Sequence, residues 1–383
     1  MTKHRFLFPI ILMALVGCGS QESAENTQVN AINFSYTIDT VRVDAGDDFV
    51  HLGNQQPRFA LSSDKKLLYN FDLNTSKLEI IDLDRLTLKE AITIEKDGPT
   101  GIGFNYWSVF NVSNQGDLFL GEGKYIQRLN AEQDQLTKYF FHSDSLKGDT
   151  LSKDEKINLQ GEVSADGKFY FGTYGKQGDW DSETGLAIVN LQTKELQKIP
   201  LKIYEEFKQF NLYLQAANGN ITSAAEEQVY VMRNGNQLLI SSSAINELYL
   251  YNLEKGTTEK KTFHSSLTPD SKKTDYKNHS ESRDEFSSLQ LEKMKDVNFG
   301  MFLFDDHNNI YWRYTVQLDR ISENQPIFNS YLTIFDEELN QIHEEKMDYP
   351  ISLSYSFFIE GSLYYYINLE DELGFVRIKP TYE

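Results

Sequence analysis

The stretch Ser63-Asp64-Lys65-Lys66-Leu67-Leu68-Tyr69 places a polar turn directly before an apolar run, and this pattern occurs six times along the chain. The apolar runs begin at anchor residues Leu67, Leu118, Phe169, Leu238, Ile310 and Leu363. Their turns include Asn-Gly and Asp-Gly, which predict β-hairpins when they separate apolar runs. The anchors lie 51, 51, 69, 72 and 53 residues apart, so the chain repeats one supersecondary unit.

Each anchor strand is followed by a partner strand, and in five units by an outer strand. The predicted partner strands are Leu78–Leu83, Tyr125–Leu129, Leu186–Leu191, Leu248–Leu253, Tyr331–Phe335 and Phe375–Ile378. The predicted outer strands are Leu88–Ile94, Leu136–Phe141, Leu196–Leu201, Thr258–Phe263 and Ile342–Met347. The sixth unit lacks an outer strand, and a spare strand at Tyr36–Val43 precedes the first unit.

We therefore predict an all-β fold, a six-bladed β-propeller in which the N-terminal strand completes the last blade and closes the ring. The spacings of 69 and 72 residues leave room for a seventh blade. An open or two-domain β structure is the alternative.

The two long spacings contain inserts. The first, Pro200–Asn220, is rich in aromatic residues, and the second, Ser265–Lys295, is highly polar. Within the second, Ser282 and Glu285 have the spacing of a capping box, which predicts a short helix lying over one face of the ring. Long inserts in repeat proteins often form the binding face, and a solvated loop without a partner is the equal alternative.

The N-terminus has the features of an exported lipoprotein. Basic Lys3 and Arg5 precede the apolar run Phe6–Val16, which is too short to span a bilayer. Leu15–Cys18 looks like a lipobox, which implies that residues 1–17 are a signal peptide and that Cys18 carries the lipid. An ordinary signal peptide with an accidental cysteine is the alternative. Residues 18–33 are then a flexible tether, and residues 34–383 the propeller domain.

The residue after the lipidated cysteine indicates the destination. Position 19 is Gly rather than Asp, so the familiar inner-membrane retention signal is absent and we expect anchoring to the outer membrane. The domain would face either the periplasm or the cell surface, and acidic Glu22 and Glu25 are a weak cue for surface export. Several acyl chains on one residue anchor a protein stably.

The chain is strongly acidic, with a formal net charge of −20. Removing residues 1–17 leaves 35 basic and 57 acidic residues, a net charge of −22. Such a surface repels phosphate backbones, so we expect no nucleic-acid partner. The simplest interpretation is solubility as a monomer, and the alternative is that the acidic surface collects cations or a basic partner.

No motif in the sequence indicates catalysis, a metal or a cofactor. Cys18 is the only cysteine, and no two of the seven histidines have the spacing of metal ligands. If any of these histidines is catalytic, His307, which lies in a polar turn, is the least surprising choice. Three aromatic clusters, which we expect to pack between blades more often than to bind sugars or peptides, are Asn105-Tyr106-Trp107, Asp179-Trp180 and Tyr311-Trp312-Arg313-Tyr314.

The lipobox at Cys18, the strand Tyr36–Val43, and the segments Val297–Gly300 and Asn309–Arg313 together resemble an uncharacterised family of TolB-like six-bladed propeller lipoproteins of Gram-negative bacteria. The resemblance implies a fold and a location but no activity and no site residues. Our first hypothesis is a non-catalytic module that binds a protein, peptide or glycan. The second is an envelope polysaccharide lyase or hydrolase with its site at the propeller axis.

Overall fold

The computed structural model describes residues 31–50, 59–103, 109–177, 183–323, 325–349, 356–370 and 372–383. In chain order its first elements are β1 (Phe34–Arg42), β2 (Phe59–Leu61), β3 (Leu67–Asp72), β4 (Lys77–Asp82), β5 (Thr87–Thr93), β6 (Val109–Val112), β7 (Leu118–Glu122), β8 (Tyr125–Leu129), β9 (Leu136–Phe140), β10 (Lys147–Gly148), β11 (Glu155–Val163), β12 (Phe169–Lys176), β13 (Glu183–Asn190) and β14 (Glu195–Pro200). The next are α1 (Ile203–Phe207), a 3-10 turn (Lys208–Phe210), β15 (Leu212–Gln215), β16 (Ile221–Ala225), β17 (Val229–Asn234), β18 (Gln237–Ser242), β19 (Glu247–Asn252), β20 (Thr257–Thr262), β21 (His279–Ser280) and α2 (Arg283–Lys293). The last are β22 (Asn298–Asp305), β23 (Ile310–Ser322), β24 (Gln325–Phe335), β25 (Gln341–Met347), β26 (Ser356–Ile359), β27 (Ser362–Leu369) and β28 (Glu372–Tyr382).

The described strands form seven sheets, which we number by their order in the chain. The first sheet contains β2–β5, the second β6–β9, the third β11–β14 with β10 beside β14, the fourth β17–β20 and the fifth β22–β25. The sixth sheet has the order β1-β28-β27-β26, and the accessory sheet has the order β16-β15-β21. In the numbered sheets the neighbouring strands are antiparallel, apart from the short parallel pair of β10 and β14, as the hairpin signals predict.

The numbered sheets pack in a closed cycle. An apolar cluster lies between each sheet and the next, as between Leu78 of the first sheet and Leu120 of the second. A further cluster, which contains Leu68 and Phe375, lies between the sixth sheet and the first. The first strands of neighbouring sheets also touch, as β2 touches β6 and β6 touches β11. A ring of small antiparallel sheets whose first strands face a common axis is a β-propeller.

The N-terminal strand lies beside the C-terminal strand, as predicted. β1 pairs with β28 along its whole length, from Phe34 opposite Tyr382 to Arg42 opposite Gly374. The Arg377 guanidinium donates two hydrogen bonds to the Asp39 carboxylate, at 2.9 and 2.7 Å. Pairing of the two chain ends in one sheet covers what would otherwise be a free edge.

The two inserts come together in the accessory sheet. β15 of the first insert pairs in parallel with β21 of the second, with Tyr213 opposite His279. The predicted helix is α2, and its N-cap Ser282 accepts a hydrogen bond from the Glu285 N–H at 3.2 Å. Phe286 of α2 packs on Leu212 and Leu214 of β15 in an apolar cluster. None of the helices in the described ranges is long and apolar enough to span a membrane.

The aromatic cluster Tyr311–Tyr314 belongs to the core, as expected. Trp312 is fully buried between the fifth and sixth sheets, and its Nε1–H donates to the Tyr382 hydroxyl at 3.0 Å. The Arg313 guanidinium is also buried and donates to the carbonyls of Gly300 and Ser242. The other two aromatic clusters lie outside the described residues.

Candidate functional site

A cavity of about 450 Å³ lies between the third and fourth sheets, and we call it the insert cavity. Its walls come from β11, β12, the beginnings of β13 and β17, and the first insert around α1. The polar side chains among its lining residues include Asn158, Glu162, Glu183, Tyr204 and Glu227. This volume falls within the usual range for small-molecule sites.

A bulge in β11 positions part of this wall. Asn158 pairs with Thr173 of β12 and Glu162 pairs with Phe171, so β11 has two more residues than β12 between these pairs. Gly161 lies in the bulge, where a Cβ atom would come within 1.9 Å of the Phe171 carbonyl oxygen. Only glycine therefore allows this close approach of the two backbones.

The Tyr170 side chain holds the bulge in place. Its hydroxyl accepts a hydrogen bond from the Gly161 N–H at 3.0 Å and donates one to the Asn158 carbonyl oxygen at 2.6 Å. Gly172 leaves room for this side chain, because a Cβ atom there would lie 2.5 Å from the Tyr170 hydroxyl. Bulges of this kind occur next to active sites, where they redirect a side chain.

Glu162, which follows the bulge, lines two cavities. The second cavity, also of about 450 Å³, is lined by residues of β2, β6, β11 and β17, including Arg233, and therefore lies at the axis of the ring. Burial raises the pKa of the Glu162 carboxyl, and the positive charge of Arg233 opposes this shift. Within the described residues no group donates a hydrogen bond to this carboxyl. The Arg233 guanidinium lies 5.0 Å from the centre of the Phe171 ring, in range of a cation–π interaction.

Asn158, Glu183 and Tyr204 form a second polar group on the wall of the insert cavity. The Asn158 side-chain amide donates a hydrogen bond to the Glu183 carboxylate at 3.1 Å. Tyr204 of α1 is buried, and its hydroxyl has no hydrogen-bond partner in the described part of the chain. Burial raises the pKa of the Tyr204 hydroxyl, and the charge of Glu183 adds to the shift.

Glu227 also lines the insert cavity, and each of its carboxylate oxygens forms an ion pair. Its two carboxylate oxygens lie 2.7 Å from Lys272 Nζ and 2.5 Å from Lys293 Nζ, and the Ser243 hydroxyl donates a further hydrogen bond. Burial alone would raise the pKa of Glu227, but the two lysines outweigh it and the pKa is lowered. The Glu227 N–H also donates to Asn211 Oδ1 at 2.7 Å. This arrangement joins both inserts to the fourth sheet.

The residues singled out in the sequence lie elsewhere. His307 is exposed in a turn, where its N–H and that of Asn308 donate to Asp305, and it lines neither of the two cavities. The signal peptide, Cys18 and the tether as far as residue 30 lie outside the described residues. No group of three His, Cys, Asp or Glu residues within the described ranges is arranged to hold a metal ion.

Sequence reasoning missed Glu162, although one signal pointed to it. Gly161 interrupts the run Glu155–Val163 just before the hairpin turn at Asp166-Gly167. An isolated glycine inside a strand pattern suggests a bulge or a close approach of backbone. The partner that fills the bulge, Tyr170, lies on the next strand and gives no separate sequence signal.

Comparisons with known proteins show which proteins this chain resembles. A crystal structure of a DUF4221 family member from Bacteroides vulgatus is 12% identical, with a TM-score of 0.62 over 91% of this chain and 98% of that one. A putative exported protein from Bacteroides fragilis is 10% identical, with a TM-score of 0.45 over 94% and 98% of the chains. An oligogalacturonate lyase in complex with manganese is 8% identical, with a TM-score of 0.40 over 93% and 98%. No curated protein matches the sequence.

The family model of DUF4221, described as a domain of unknown function, matches residues 31–346. This match covers most of the ring, including both inserts, and it confirms the resemblance to an uncharacterised family. The chain therefore belongs to the DUF4221 family.

Proposed function

We propose that this protein is a lipoprotein of the outer membrane whose six-bladed propeller binds a peptide, protein or glycan ligand in the insert cavity. The lipobox at Cys18 supports the anchor, and the chain from residue 18 to β1 would be the tether. The six numbered sheets would be the blades. The accessory sheet, which is built from the two inserts and clusters with α2, would then not be a seventh blade.

The observation that carries the binding proposal is the Glu162 carboxyl on the cavity wall, to which no described residue donates a hydrogen bond. Glu162 is half-buried, and burial of an ionisable group that accepts no hydrogen bond costs free energy and raises its pKa. A bulge, two glycines and the Tyr170 hydroxyl nevertheless hold this carboxyl at the junction of two cavities. Such locally unfavourable arrangements are typical of functional sites.

A substitution that fills the insert cavity tests the binding proposal. Thr173 lines the cavity on β12, and Thr173→Trp would occupy part of its volume. Thr258→Trp, on the exposed strand β20, is the matched control. Defined peptides, glycans and amines are screened by thermal shift against the three proteins. We expect at least one ligand class to raise the Tm of wild type and T258W but not of T173W; equal shifts in all three proteins, or none, would overturn the proposal.

The proposed anchor has its own test. Replacing Cys18 by Ala removes the only residue that can carry the thioether-linked lipid. We expect the variant to be recovered in the soluble fraction of cells with an unchanged Tm. Continued sedimentation of the variant with outer membranes would contradict the anchor.

A hydrolase is the second candidate, because the carboxyls that line the insert cavity lie in different environments. Burial raises the pKa of Glu162, as a general acid requires, and Glu183 lies on the same wall. The net negative lining would repel a polyuronate, so a neutral glycan is the better substrate. If Glu162 is the acid, wild type releases reducing ends from a neutral oligosaccharide and Glu162→Gln does not. If wild type binds the oligosaccharide but does not cleave it, the hydrolase is ruled out and the non-catalytic binding function remains.

A further inference from the structure

The turns that precede the anchor strands lie together at one end of the ring, which we call the turn face. Lys65 Nζ, in the turn before β3, lies 2.9 Å from the Asp306 carboxylate in the turn before β23. The Asn114 N–H, before β7, donates to the Ala165 carbonyl oxygen, before β12, at 2.7 Å. The turn before β27 lies against the turn before β23, and turn residues of the first, third and fourth sheets together line the cavity at the axis.

The described chain begins at the turn face. β27 starts directly after its turn and runs away from this face, so the antiparallel strand β28 returns and ends there at Tyr382. β1 begins at Phe34, opposite Tyr382. Just before it, the Ala31 N–H donates to the Ile342 carbonyl oxygen at the beginning of β25, at 2.8 Å. The turn between β24 and β25 is at the turn face too, because β22 and β24 are both antiparallel to β23.

Both inserts lie at the opposite end of the ring, which we call the insert face. In the third sheet β12 leaves the turn face, β13 returns to it and β14 leaves it again, so the first insert begins at the far end. The same order in the fourth sheet places the end of β20 and the second insert there. The insert cavity reaches this end, because Glu183 at the beginning of β13 and the residues directly before β17 line it.

The length of the strands separates the two faces. β12 has eight residues and therefore spans about 25 Å. The 13 peptide units between Cys18 and Ala31 reach at most about 45 Å, and a flexible chain of this length spans about 20 Å on average. With the insert face against a bilayer, Ala31 would lie about 25 Å or more from the lipid, farther than the average span of the tether. With the turn face toward the bilayer, the tether keeps its conformational freedom.

We propose that the anchored ring presents its insert face away from the bilayer, so that the insert cavity takes a ligand dissolved in the aqueous phase and not a membrane lipid. This inference rests on the proposed anchor and the proposed binding site. Its basis is that the tether and the insert cavity lie at opposite ends of the same strands. A lipid would have to leave the bilayer and pass the ring to reach the cavity, whereas a solute reaches it directly.

Energy transfer from a dye on the protein to acceptor lipids measures which face is nearer to the bilayer. Ser322→Cys, at the tip of the β23–β24 hairpin on the insert face, and Glu337→Cys, in the β24–β25 turn on the turn face, are exposed positions at two ends of one sheet. Ser287→Cys on α2 and Gln192→Cys in the β13–β14 turn repeat the comparison with a second pair of exposed positions. The Cys18 sulfur of the lipidated protein is a thioether and does not react with the maleimide dye.

Each lipidated, labelled variant is placed in phosphatidylethanolamine–phosphatidylglycerol vesicles that contain rhodamine-labelled lipid. We expect the two dyes on the insert face to lie about 25 Å or more farther from the acceptor plane than the two dyes on the turn face. The same labelled variants with Cys18→Ala are the control and should show no transfer. Adding about ten Gly-Ser repeats after Glu25 should reduce the difference between the faces, because a longer tether lets the ring turn over.

Failure of this inference is distinguishable from failure of the proposed function. Equal transfer from both faces, or stronger transfer from the insert face, would overturn the orientation. Ligand binding at the cavity is measured with T173W in the soluble protein, and its outcome does not depend on the orientation. Mass spectrometry that finds no acyl chains on Cys18 would overturn the anchor, and the orientation with it.

Discussion

Glu227 and Glu162 line the same cavity, but their surroundings differ in one decisive respect. Glu227 forms ion pairs with two lysines and accepts a hydrogen bond from a serine hydroxyl. Its side chain is only 3% exposed. Glu162 has no hydrogen-bond donor among the described residues, and burial raises its pKa. The pKa of Glu227 is shifted in the opposite direction, because its two lysines outweigh its burial.

This difference separates a carboxylate that maintains the structure from one that is available to a ligand. The lysines bound by Glu227 come from the second insert, and Asn211, which accepts from its N–H, comes from the first. Glu227 therefore keeps the inserts attached to the ring. Glu162 forms no ion pair or hydrogen bond with any described residue, and the bulge in β11 determines its position on the cavity wall.

The largest expected effect comes from removing the paired carboxylate. Glu227→Ala leaves two buried lysines without a counter-ion, which typically costs about 3–5 kcal/mol in the free energy of unfolding. Urea denaturation followed by tryptophan fluorescence measures this loss. Glu259→Ala on the exposed strand β20 is the control and should change the free energy of unfolding by less than about 0.5 kcal/mol. Equal stability of the two variants would show that the pairing contributes nothing.

Acid should remove part of the same contribution. Because the pKa of Glu227 is lowered in the folded protein, its stabilising effect is complete above its ordinary pKa and is lost as the pH falls through the lowered value. The difference in free energy of unfolding between wild type and E227A should therefore shrink in the acid range. A difference that stays constant down to about pH 3 would contradict the lowered pKa.

The next effect concerns the bulge. Tyr170→Phe removes the hydroxyl that accepts from the Gly161 N–H and donates to the Asn158 carbonyl. Unsatisfied buried backbone groups cost about 1–3 kcal/mol, and we expect a loss in this range by urea denaturation. Tyr204→Phe is the matched control, since its hydroxyl has no hydrogen-bond partner among the described residues and its removal should be neutral or stabilising. If both variants lose the same stability, the Tyr170 hydroxyl does not hold the bulge.

The smallest expected effect is that of Glu162→Gln on stability. Because the pKa of Glu162 is raised in the folded protein, ionisation of the carboxyl destabilises the fold as the pH rises through that value. The positive charge of Arg233 on β17 acts on this carboxyl and opposes the shift. The Tm of E162Q should rise relative to that of wild type as the pH is raised from below the ordinary pKa of a glutamate, because only the wild-type carboxyl ionises. A constant or falling difference would mean that the carboxyl is not shielded from water.

The strands were predictable because each depends on residues close in the chain. β7 begins at Leu118 and β12 at Phe169, and Leu238 is the second residue of β18. A polar turn lies directly before each of these strands. The helix α2 was predictable for the same reason, because Ser282 caps it through a residue three positions away. The bulge was not predictable in this way, since Gly161, Tyr170 and Gly172 come from two strands and meet only after they pair.

The sequence by itself determined the repeated hairpins, the spare N-terminal strand and the family, because these follow from apolar spacing, turn residues and local matches along the chain. Only the tertiary structure decided that Glu227 is paired, that Glu162 has no such partner in the described ranges, and that the two inserts form one sheet beside the cavity. The physical reason is that burial and counter-ions are properties of neighbours in space. Glu162 and Glu227 are both ordinary glutamates in the sequence, and only Lys272 and Lys293, brought close by folding, make them different.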